Sequence, residues 1–279
     1  EDANLAGTAK GAECTLILTE GDSAKALAVA GLEVISRDKY GVFPLRGKFL
    51  NVRNVSVDKL AKNAELKAIC TILGLQFDKA YHTLEDRNQL RYGHVMLMTD
   101  QDADGSHIKG LIMNLFRHFW PELLKPPVGK GGNANRPFMS MFVTPLLKAT
   151  KKGKGKNQTS ISFFSMSEYN AWRESLEDDE IRNWSVKYYK GLGTSTSAEA
   201  KEYFLAFIQH HRPFRWQSGD GERIDMAFEK EKADERKDWI LTKYDEKSSL
   251  TVNEDDGNSV TYGDFVDCEL IHFSNANNI

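Results

Sequence analysis

Two short apolar runs, each followed by a helical pattern, dominate the distribution of hydrophobic residues along the chain. Residues 14–19 and 94–99 are rich in β-branched and long apolar side chains and are short, so each is predicted to be a buried strand. Residues 24–35 and 108–119 repeat apolar side chains at the three- and four-residue spacing of an amphipathic helix. Two strand–helix units in this order predict right-handed crossovers and an α/β fold with a mainly parallel sheet flanked by helices.

The rest of the pattern predicts shorter elements. Residues 41–55 contain Pro44 and Gly47, which favours a loop or an edge strand, and residues 77–90 read as a polar surface connection. Thr196 and Glu199 form a capping-box pair at the start of a helix. The further elements expected are a helix at 57–73, strands at 138–147 and 159–165, a helix at 167–176 capped by Ser167, a strand at 184–189, a helix from 196 to about 210, and a charged helix at 224–239.

Composition restricts the classes of function. The 279 residues are 41% hydrophobic and carry a formal net charge of −3, which suits one large domain or a core domain with an appendage. No apolar run reaches the length of a membrane span. The cysteines Cys14, Cys70 and Cys268 form no C-x-x-C pair, which argues against a zinc site and suits a reducing compartment. Because the net charge is slightly acidic, any residues that bind nucleic acid must act through local concentration.

Acidic residues follow both predicted strands directly. Glu20 comes after the first strand, and Asp100, Asp102 and Asp104 come after the second. Carboxyl ends of parallel strands meet at one edge of a sheet, and alternate residues there point to the same side. Clustered carboxylates repel one another, and a hard cation such as Mg²⁺, which prefers oxygen ligands, relieves this repulsion. The sequence therefore predicts that Glu20, Asp100 and Asp102 surround a divalent cation.

Other interpretations of these residues remain open. The D-x-D-x-D-G pattern from Asp100 is also how an EF-hand loop begins, but its twelfth position, which should be Glu, is Leu111, and a strand-like run precedes it. The aspartates could instead form a solvated acidic turn. Glu20 could simply stabilise the positive end of the helix that follows it.

Four blocks carry a resemblance that covers nearly the whole chain. They are EGDSA at 20–24, PLRGK at 44–48, DQDADGSHI at 100–108 and KYYKGLGT at 187–194. With these blocks in this order, the chain resembles the breakage-reunion core of eukaryotic type IIA DNA topoisomerases, specifically its Toprim domain. The DQD spelling and the KYYKGLGTSTS block favour the eukaryotic form over bacterial gyrase or topoisomerase IV.

The resemblance implies a Rossmann-like Toprim fold with a helical and irregular C-terminal extension. The expected divisions are an arm at 1–13, a core at 14–165, an associated extension with the KGLGT segment at 166–242, an acidic linker at 243–263 and the start of a winged-helix module at 264–279. Within the core, an insertion loop at 126–137 is a candidate for disorder. A lysine-rich hairpin tip at 148–157 is expected to be solvated and mobile.

The resemblance also assigns roles to individual residues. It implies transesterification of a DNA phosphodiester, with Glu20, Asp100 and Asp102 as catalytic ligands of Mg²⁺, for which Mn²⁺ or Ca²⁺ could substitute. Asp104 is expected to be a second-site or outer ligand. Arg46 and Lys48 are expected to be catalytic groups that stabilise charge on the phosphate. The expected DNA contacts are Arg46, Lys48, Asn51, His107, Lys187, Lys190, Arg236 and Lys237, and the expected drug-pocket residues are Gly21, Asp22 and Arg46.

Further properties are implied for a longer parent protein, of which we expect this chain to be a piece. In the family the nucleophilic tyrosine lies on the winged-helix module, so no tyrosine of this chain is nominated. ATP would enter only through a separate ATPase module, since no Walker A motif occurs here. The parent is expected to be a nuclear homodimer that acts on double-stranded DNA, without a membrane partner. We expect the chain alone to bind metal, to bind DNA weakly and not to cleave it.

Two alternatives come from other classes of protein. A metal-dependent nuclease or primase on the same acidic scaffold would share the Glu and D-x-D signals, but not PLRGK together with KGLGT. A non-enzymatic calcium-binding module would prefer Ca²⁺ to Mg²⁺.

Overall fold

The fold is organised around one six-stranded sheet. A computed structural model describes residues 1–129, 135–152, 159–189, 191–247 and 258–277. The strands of this sheet are β1 Thr15–Glu20, β2 Tyr40–Leu45, β3 His94–Met98, β4 Met139–Phe142, β8 His211–Arg215 and β9 Val260–Thr261, in the spatial order β2-β1-β3-β4-β8-β9. Only the β4–β8 pairing is antiparallel. The predicted mainly parallel sheet is confirmed.

A second, smaller sheet is formed by strands that lie between β4 and β8 in the sequence. Its strands are β5 Leu147–Lys151, β6 Ser160–Phe163 and β7 Trp184–Tyr188, paired antiparallel in the order β6-β5-β7. The helices are α1 Gly21–Ile35, α2 Val57–Lys62, α3 Ala64–Leu73, α4 Leu84–Arg87, α5 Ala103–Phe119, α6 Met166–Glu174, α7 Asp178–Ile181, α8 Ser197–Leu205, α9 Phe207–His210, α10 Asp220–Phe228, α11 Ala233–Lys247 and α12 Tyr262–Asn277.

Both faces of the large sheet are buried, as its continuous apolar strands require. Successive side chains of a strand point to opposite faces. In β1, Leu16 and Leu18 join the core that contains α3 and α5, whereas Ile17 joins the core that contains α1 and α8. In β3, Val95 and Met96 divide between the same two cores. The two strands that end at the acidic residues are therefore held on both sides.

The predicted helix at 57–73 is two helices. Asn63 has extended backbone angles and its side-chain oxygen accepts a hydrogen bond from the Leu66 N–H at 2.7 Å, which starts α3 as a new helix. The cap of α6 was also placed wrongly, because Ser165 rather than Ser167 accepts the bond that begins this helix. In both cases a short polar side chain captured a free backbone donor, and apolar periodicity does not report this.

The connection at 77–90 is more buried than its polar composition predicted. Tyr81, Arg87 and Leu90 are buried within it. The guanidinium of Arg87 donates to the carbonyls of Tyr81, Glu122 and Lys125, which satisfies a charged group inside the protein. Arg87 thus joins these three backbone segments through hydrogen bonds in the interior.

The described residues of the C-terminal part form shorter and additional elements compared with those predicted. The helix expected at 224–239 is interrupted after Phe228 by a 3₁₀ turn at Lys230–Lys232, and the helix expected up to about residue 210 is interrupted at Ala206. In the segment expected as a flexible linker, α11 continues to Lys247 and β9 pairs with β8. Residues 248–257 lie outside the described residues. The expected boundary at 264 falls inside α12, whose Phe265 and Val266 belong to the main core.

Two loops expected to be irregular lie partly outside the described residues, at 130–134 and 153–158. Their flanks are anchored. Arg136 donates to the Glu13 carbonyl and to Thr15, and Lys148 and Lys151 are residues of β5 rather than of a hairpin tip. Lys148 forms an ion pair with Glu202 at 2.7 Å.

Helices α1 and α8 meet where Gly31 faces the ring of Phe204, and a Cβ at Gly31 would overlap that ring. Gly31→Ala should therefore destabilise the protein by about 1–2 kcal/mol, because overpacking costs more than the roughly 1 kcal/mol that helix propensity returns. Denaturation in urea measures this. Ala26→Gly, at an exposed position of the same helix, measures how much helix propensity alone changes the free energy of unfolding. A Gly31→Ala variant that is more stable by this amount would contradict the prediction.

Candidate functional site

The ends of β1 and β3 bring two of the predicted metal ligands together. The strands are parallel neighbours with Thr19 opposite Met98, so Glu20 and Asp100 emerge at the same edge. The backbone N–H of Asp100 donates to the Glu20 carboxylate at 3.2 Å. The meeting of these residues, expected from strand order, is observed.

Asp102 and Asp104 lie at the start of α5. Asp102 is exposed and caps this helix, with its carboxylate accepting from the Gly105 N–H at 2.8 Å. Asp104 is also exposed and forms an ion pair with Lys48 at 2.8 Å. Its hydrogen bond and charge attraction to Lys48 hold the pKa of Asp104 below its ordinary value. Asp104 therefore points to the loop that carries Lys48 and Arg46.

Electrostatics tie Glu20 to the aspartates. Burial raises the pKa of the Glu20 carboxyl, and the charges of Asp100 and Asp102 raise it further, against the lowering effect of the Asp100 N–H bond. A group under these conditions gains from a neighbouring cation. Three carboxylates at one sheet edge are a donor set that fits a hard divalent ion.

The oxygens of this acidic set are not drawn tightly together. Among the described residues, three ligand atoms lie within 4.8 Å of one another only in Cys268, Glu269 and His272 of α12. The Cys268 sulfur is 3.8 Å from both ring nitrogens of His272. No C-x-x-C spacing marks this group in the sequence.

Asp100 has a second partner that sequence reasoning missed. Its Oδ1 accepts a hydrogen bond from the Leu192 N–H at 2.7 Å, and a Cβ at Gly191 would lie 2.5 Å from its Oδ2. The available sequence signal was the Gly-Leu-Gly turn of the KGLGT segment, which follows a strand.

Lys109 is the other missed residue. It lies on α5 seven positions after Asp102, on the same face of the helix, and is only 2% exposed. Burial lowers the pKa of its ammonium, whereas the charges of Glu269, Glu20 and Asp102 raise it. A lysine inside the apolar stripe of 108–119 was the available sequence signal.

The predicted cationic residues Arg46 and Lys48 are exposed on the loop after β2. The loop is anchored behind them by Arg53, whose guanidinium donates to Asn114 at 2.9 Å and forms ion pairs with Asp225 and Glu229. The two cations therefore stand on a fixed loop beside α5, where their side chains reach solvent.

Two of the expected DNA contacts use their side chains internally. Asn51 donates to the Phe228 carbonyl at 3.0 Å and accepts from Asn114. Arg236 donates to the carbonyls of Met226 and Ala227 at the end of α10. These bonds give both residues a structural role, and their DNA contacts stay predictions.

The other expected DNA contacts have different surroundings where the structure describes them. His107 stacks on Phe228 with ring centroids 6.3 Å apart, and burial and the charge of Lys48 lower its pKa. Lys187 pairs with Glu199 at 2.7 Å, Lys237 is exposed, and Lys190 lies outside the described residues.

A cavity of about 620 Å³ opens between residues 51–54, the start of α5 and helices α10 to α12, with His107 and Phe228 in its wall. The expected drug-pocket residues Gly21, Asp22 and Arg46 are not part of its lining. Gly21 adopts a positive φ of 72°, and Asp22 and Arg46 are exposed. Their role stays a prediction.

Comparisons with known proteins identify both halves of the chain. The Toprim domain family matches residues 15–134, and the family described as the C-terminal associated domain of TOPRIM matches residues 142–278. The whole chain is 50% identical to DNA topoisomerase 2 of Caenorhabditis elegans and 46% identical to DNA topoisomerase 2-alpha of Gallus gallus. The chain belongs to the DNA topoisomerase 2 family and corresponds to its Toprim region.

A solved structure agrees with this assignment. The Toprim region described here superposes on the topoisomerase II DNA-binding, cleavage and re-ligation domain of Plasmodium falciparum with a TM-score of 0.83 at 45% identity, over 100% of this chain and 35% of that chain. It spans 18% of the Caenorhabditis relative and 17% of the Gallus relative. The predicted family and fold are confirmed.

The fold excludes the EF-hand interpretation of the aspartates. An EF-hand requires a helix before its loop, and here the strand β3 precedes Asp100 while α5 begins at Ala103.

No helix within the described residues combines the length and hydropathy needed to cross a membrane. The C-terminal associated domain matches through 278, a range that includes the expected winged-helix start, and the proposed domain boundaries stay predictions.

Glu199 of α8 secures the turn beside Asp100. Burial opposes its ionisation, but hydrogen bonds from Lys187, the Thr196 N–H and Tyr189 outweigh this and lower its pKa from 4.5 to about 2. Glu199→Gln should therefore reduce the free energy of unfolding by about 1–3 kcal/mol at neutral pH. Because the pKa of Glu199 is depressed in the folded state, the loss of unfolding free energy relative to the unmodified chain should be complete above pH 4.5. It should shrink as the pH falls towards 2.

Urea denaturation between pH 7 and pH 3 measures this difference. Glu202→Gln, which removes a more exposed ion pair on the same helix, should cost less than about 1 kcal/mol. A Glu199→Gln effect that is independent of pH would show that its charge does not stabilise the turn.

Proposed function

We propose that this Toprim region supplies the divalent-cation site for reversible double-strand cleavage of DNA by a type IIA topoisomerase. The observation that carries the proposal is the placement of Glu20 and Asp100 at adjacent carboxyl ends of parallel strands, with Asp102 capping the next helix. Membership of the DNA topoisomerase 2 family supports the reaction class. Mg²⁺ is the proposed ion, with Mn²⁺ or Ca²⁺ as substitutes.

The chain's own residues divide the work of the site. Glu20, Asp100 and Asp102 would hold the cation, and Asp104 would be an outer or second-site ligand. A cation held there would supply polarisation of phosphate oxygen and stabilisation of charge on the leaving 3′ oxygen. Arg46 and Lys48, exposed on the anchored loop, would hold the phosphate by charge-assisted hydrogen bonds.

DNA would lie across this edge of the sheet. The Lys48–Asp104 ion pair links the cationic loop to the acidic residues, so the phosphate-binding and cation-binding groups are adjacent. Lys187, Lys190 and Lys237 would add phosphate contacts. Each such contact also makes affinity depend on salt, because binding releases condensed counterions.

The parent protein would provide what this chain's residues do not. The resemblance places the attacking tyrosine on a winged-helix module and ATP on a separate module, in a homodimer. A nuclear location is proposed from the eukaryotic relatives, although one relative, from Dictyostelium discoideum, is named as mitochondrial.

Substitution of the ligands tests the cation site directly. Glu20→Gln and Asp102→Asn should each weaken binding of Mn²⁺ to the chain at least about tenfold, because each removes a negative ligand. Asparagine retains the helix cap at position 102, so folding should be preserved. Electron paramagnetic resonance of free Mn²⁺ measures the affinity.

Asp22→Asn is the matched control, since it removes a nearby exposed charge from the first turn of α1. Equal binding by all three variants and the unmodified chain would overturn the cation site.

A plasmid assay in Mg²⁺ tests the composite reaction. We expect no cleavage by this chain alone, and protein-linked 5′ ends on denaturing gels once the winged-helix module is joined in cis. Asp100→Asn should abolish these products. Free 5′-phosphate ends would instead identify a hydrolytic nuclease, and protein-linked ends from this chain alone would show that one of its own tyrosines attacks DNA.

A further inference from the structure

We propose that the turn at Gly191 and Leu192 positions the Asp100 carboxylate for the divalent cation, so that the C-terminal associated domain sets the cation affinity of the Toprim domain. The inference rests on the proposed function of the acidic residues. It adds two positioning residues from outside the Toprim match, which ends at residue 134.

The contact is made by backbone, which the sequence does not reveal. Asp100 Oδ1 accepts the Leu192 N–H at 2.7 Å, while the Asp100 N–H donates to Glu20. The hydrogen bond from the Leu192 amide occupies Oδ1 of the carboxylate and leaves Oδ2 for a cation. The side chain is thus oriented between the turn and the acidic edge of the sheet.

Gly191 allows the Asp100 carboxylate to approach the turn because it has no side chain, not because of its backbone conformation. Its φ of −177° is extended backbone that any residue adopts. A Cβ at this position would nevertheless lie 2.5 Å from Asp100 Oδ2 and 2.9 Å from its Cγ. The oxygen left for the cation is therefore the one that a side chain at 191 would displace.

The turn itself is firmly held. Leu192 is 2% exposed and belongs to the same buried cluster as Leu27 and Met98. Thr194 closes the turn by donating its N–H and hydroxyl to the Gly191 carbonyl, at 3.1 and 2.7 Å. Because Leu192 is buried and Thr194 closes the turn, the amide can hold the carboxylate rather than follow it.

Hydrogen bonds to a ligating carboxylate fix its orientation, and their loss typically costs about 10–100-fold in metal affinity. Leu192 is the first residue of a 3₁₀ turn, where proline is tolerated, and the extended Gly191 before it suits a following proline. Leu192→Pro therefore removes the donor, and its ring Cδ takes the place of the N–H that faces Asp100 Oδ1, so the carboxylate loses its hydrogen bond and is also displaced. Leu192→Ala keeps the donor and removes most of the side chain.

Mn²⁺ affinity of the full chain, followed by electron paramagnetic resonance, is the readout. Leu192→Pro should weaken binding about 10–100-fold, and Leu192→Ala should have a much smaller effect. Gly191→Ala should weaken binding to a similar extent as Leu192→Pro. Gly193→Ala is its matched control, because a Cβ there meets no atom closer than 3.5 Å.

Thermal unfolding establishes that each variant is folded, and if Leu192→Pro does not fold, the two glycine variants decide the question. Equal affinities for Gly191→Ala and Gly193→Ala, or tighter binding by Leu192→Pro, would overturn the inference. If Glu20→Gln weakens binding and these variants do not, the cation site stands without the positioning turn. If neither set has an effect, the cation site falls as well.

Discussion

The parallel pairing of β1 with β3 is the constraint on which the site depends. Backbone hydrogen bonds set the register, and burial of both faces prevents either strand from slipping, since a one-residue shift would turn Leu16 and Leu18 away from their core. With the register set, Glu20 and Asp100 must emerge side by side. The core thus forces the carboxylates together, and burial, together with the charges of Asp100 and Asp102, raises the pKa of Glu20.

Much of this arrangement could be predicted from sequence because it follows from periodicity and strand order. The two strand–helix units, the parallel sheet and the meeting of Glu20 with Asp100 depend only on apolar pattern and on the geometry of parallel strands. The family assignment came from four blocks of residues, not from composition, whose net charge of −3 pointed away from nucleic acid.

The missed features share a different physical origin. The Leu192 amide on Asp100, the Asn63 cap and the internal bonds of Arg236 are pairings between a polar group and backbone that is distant or locally irregular. Residue type does not report which backbone donors and carbonyls a fold leaves unpaired. Buried Lys109 is a different case, because the charges that raise its pKa belong to carboxylates, of which Glu20 and Glu269 lie on other elements. Such pairings are visible only after the chain has folded.

The large sheet crosses the boundary between the two matched families. Strands β1 to β3 belong to the Toprim match, whereas β8 and β9 come from the C-terminal associated domain. Of these two, β8 pairs with β4 and β9 pairs with β8. A gene truncated between the two matches would leave the hydrogen-bonding edge of β3 uncovered, and exposed edges invite aggregation. The two matched families therefore do not correspond to two separate sheets in this protein, because strands from both ranges form one continuous sheet.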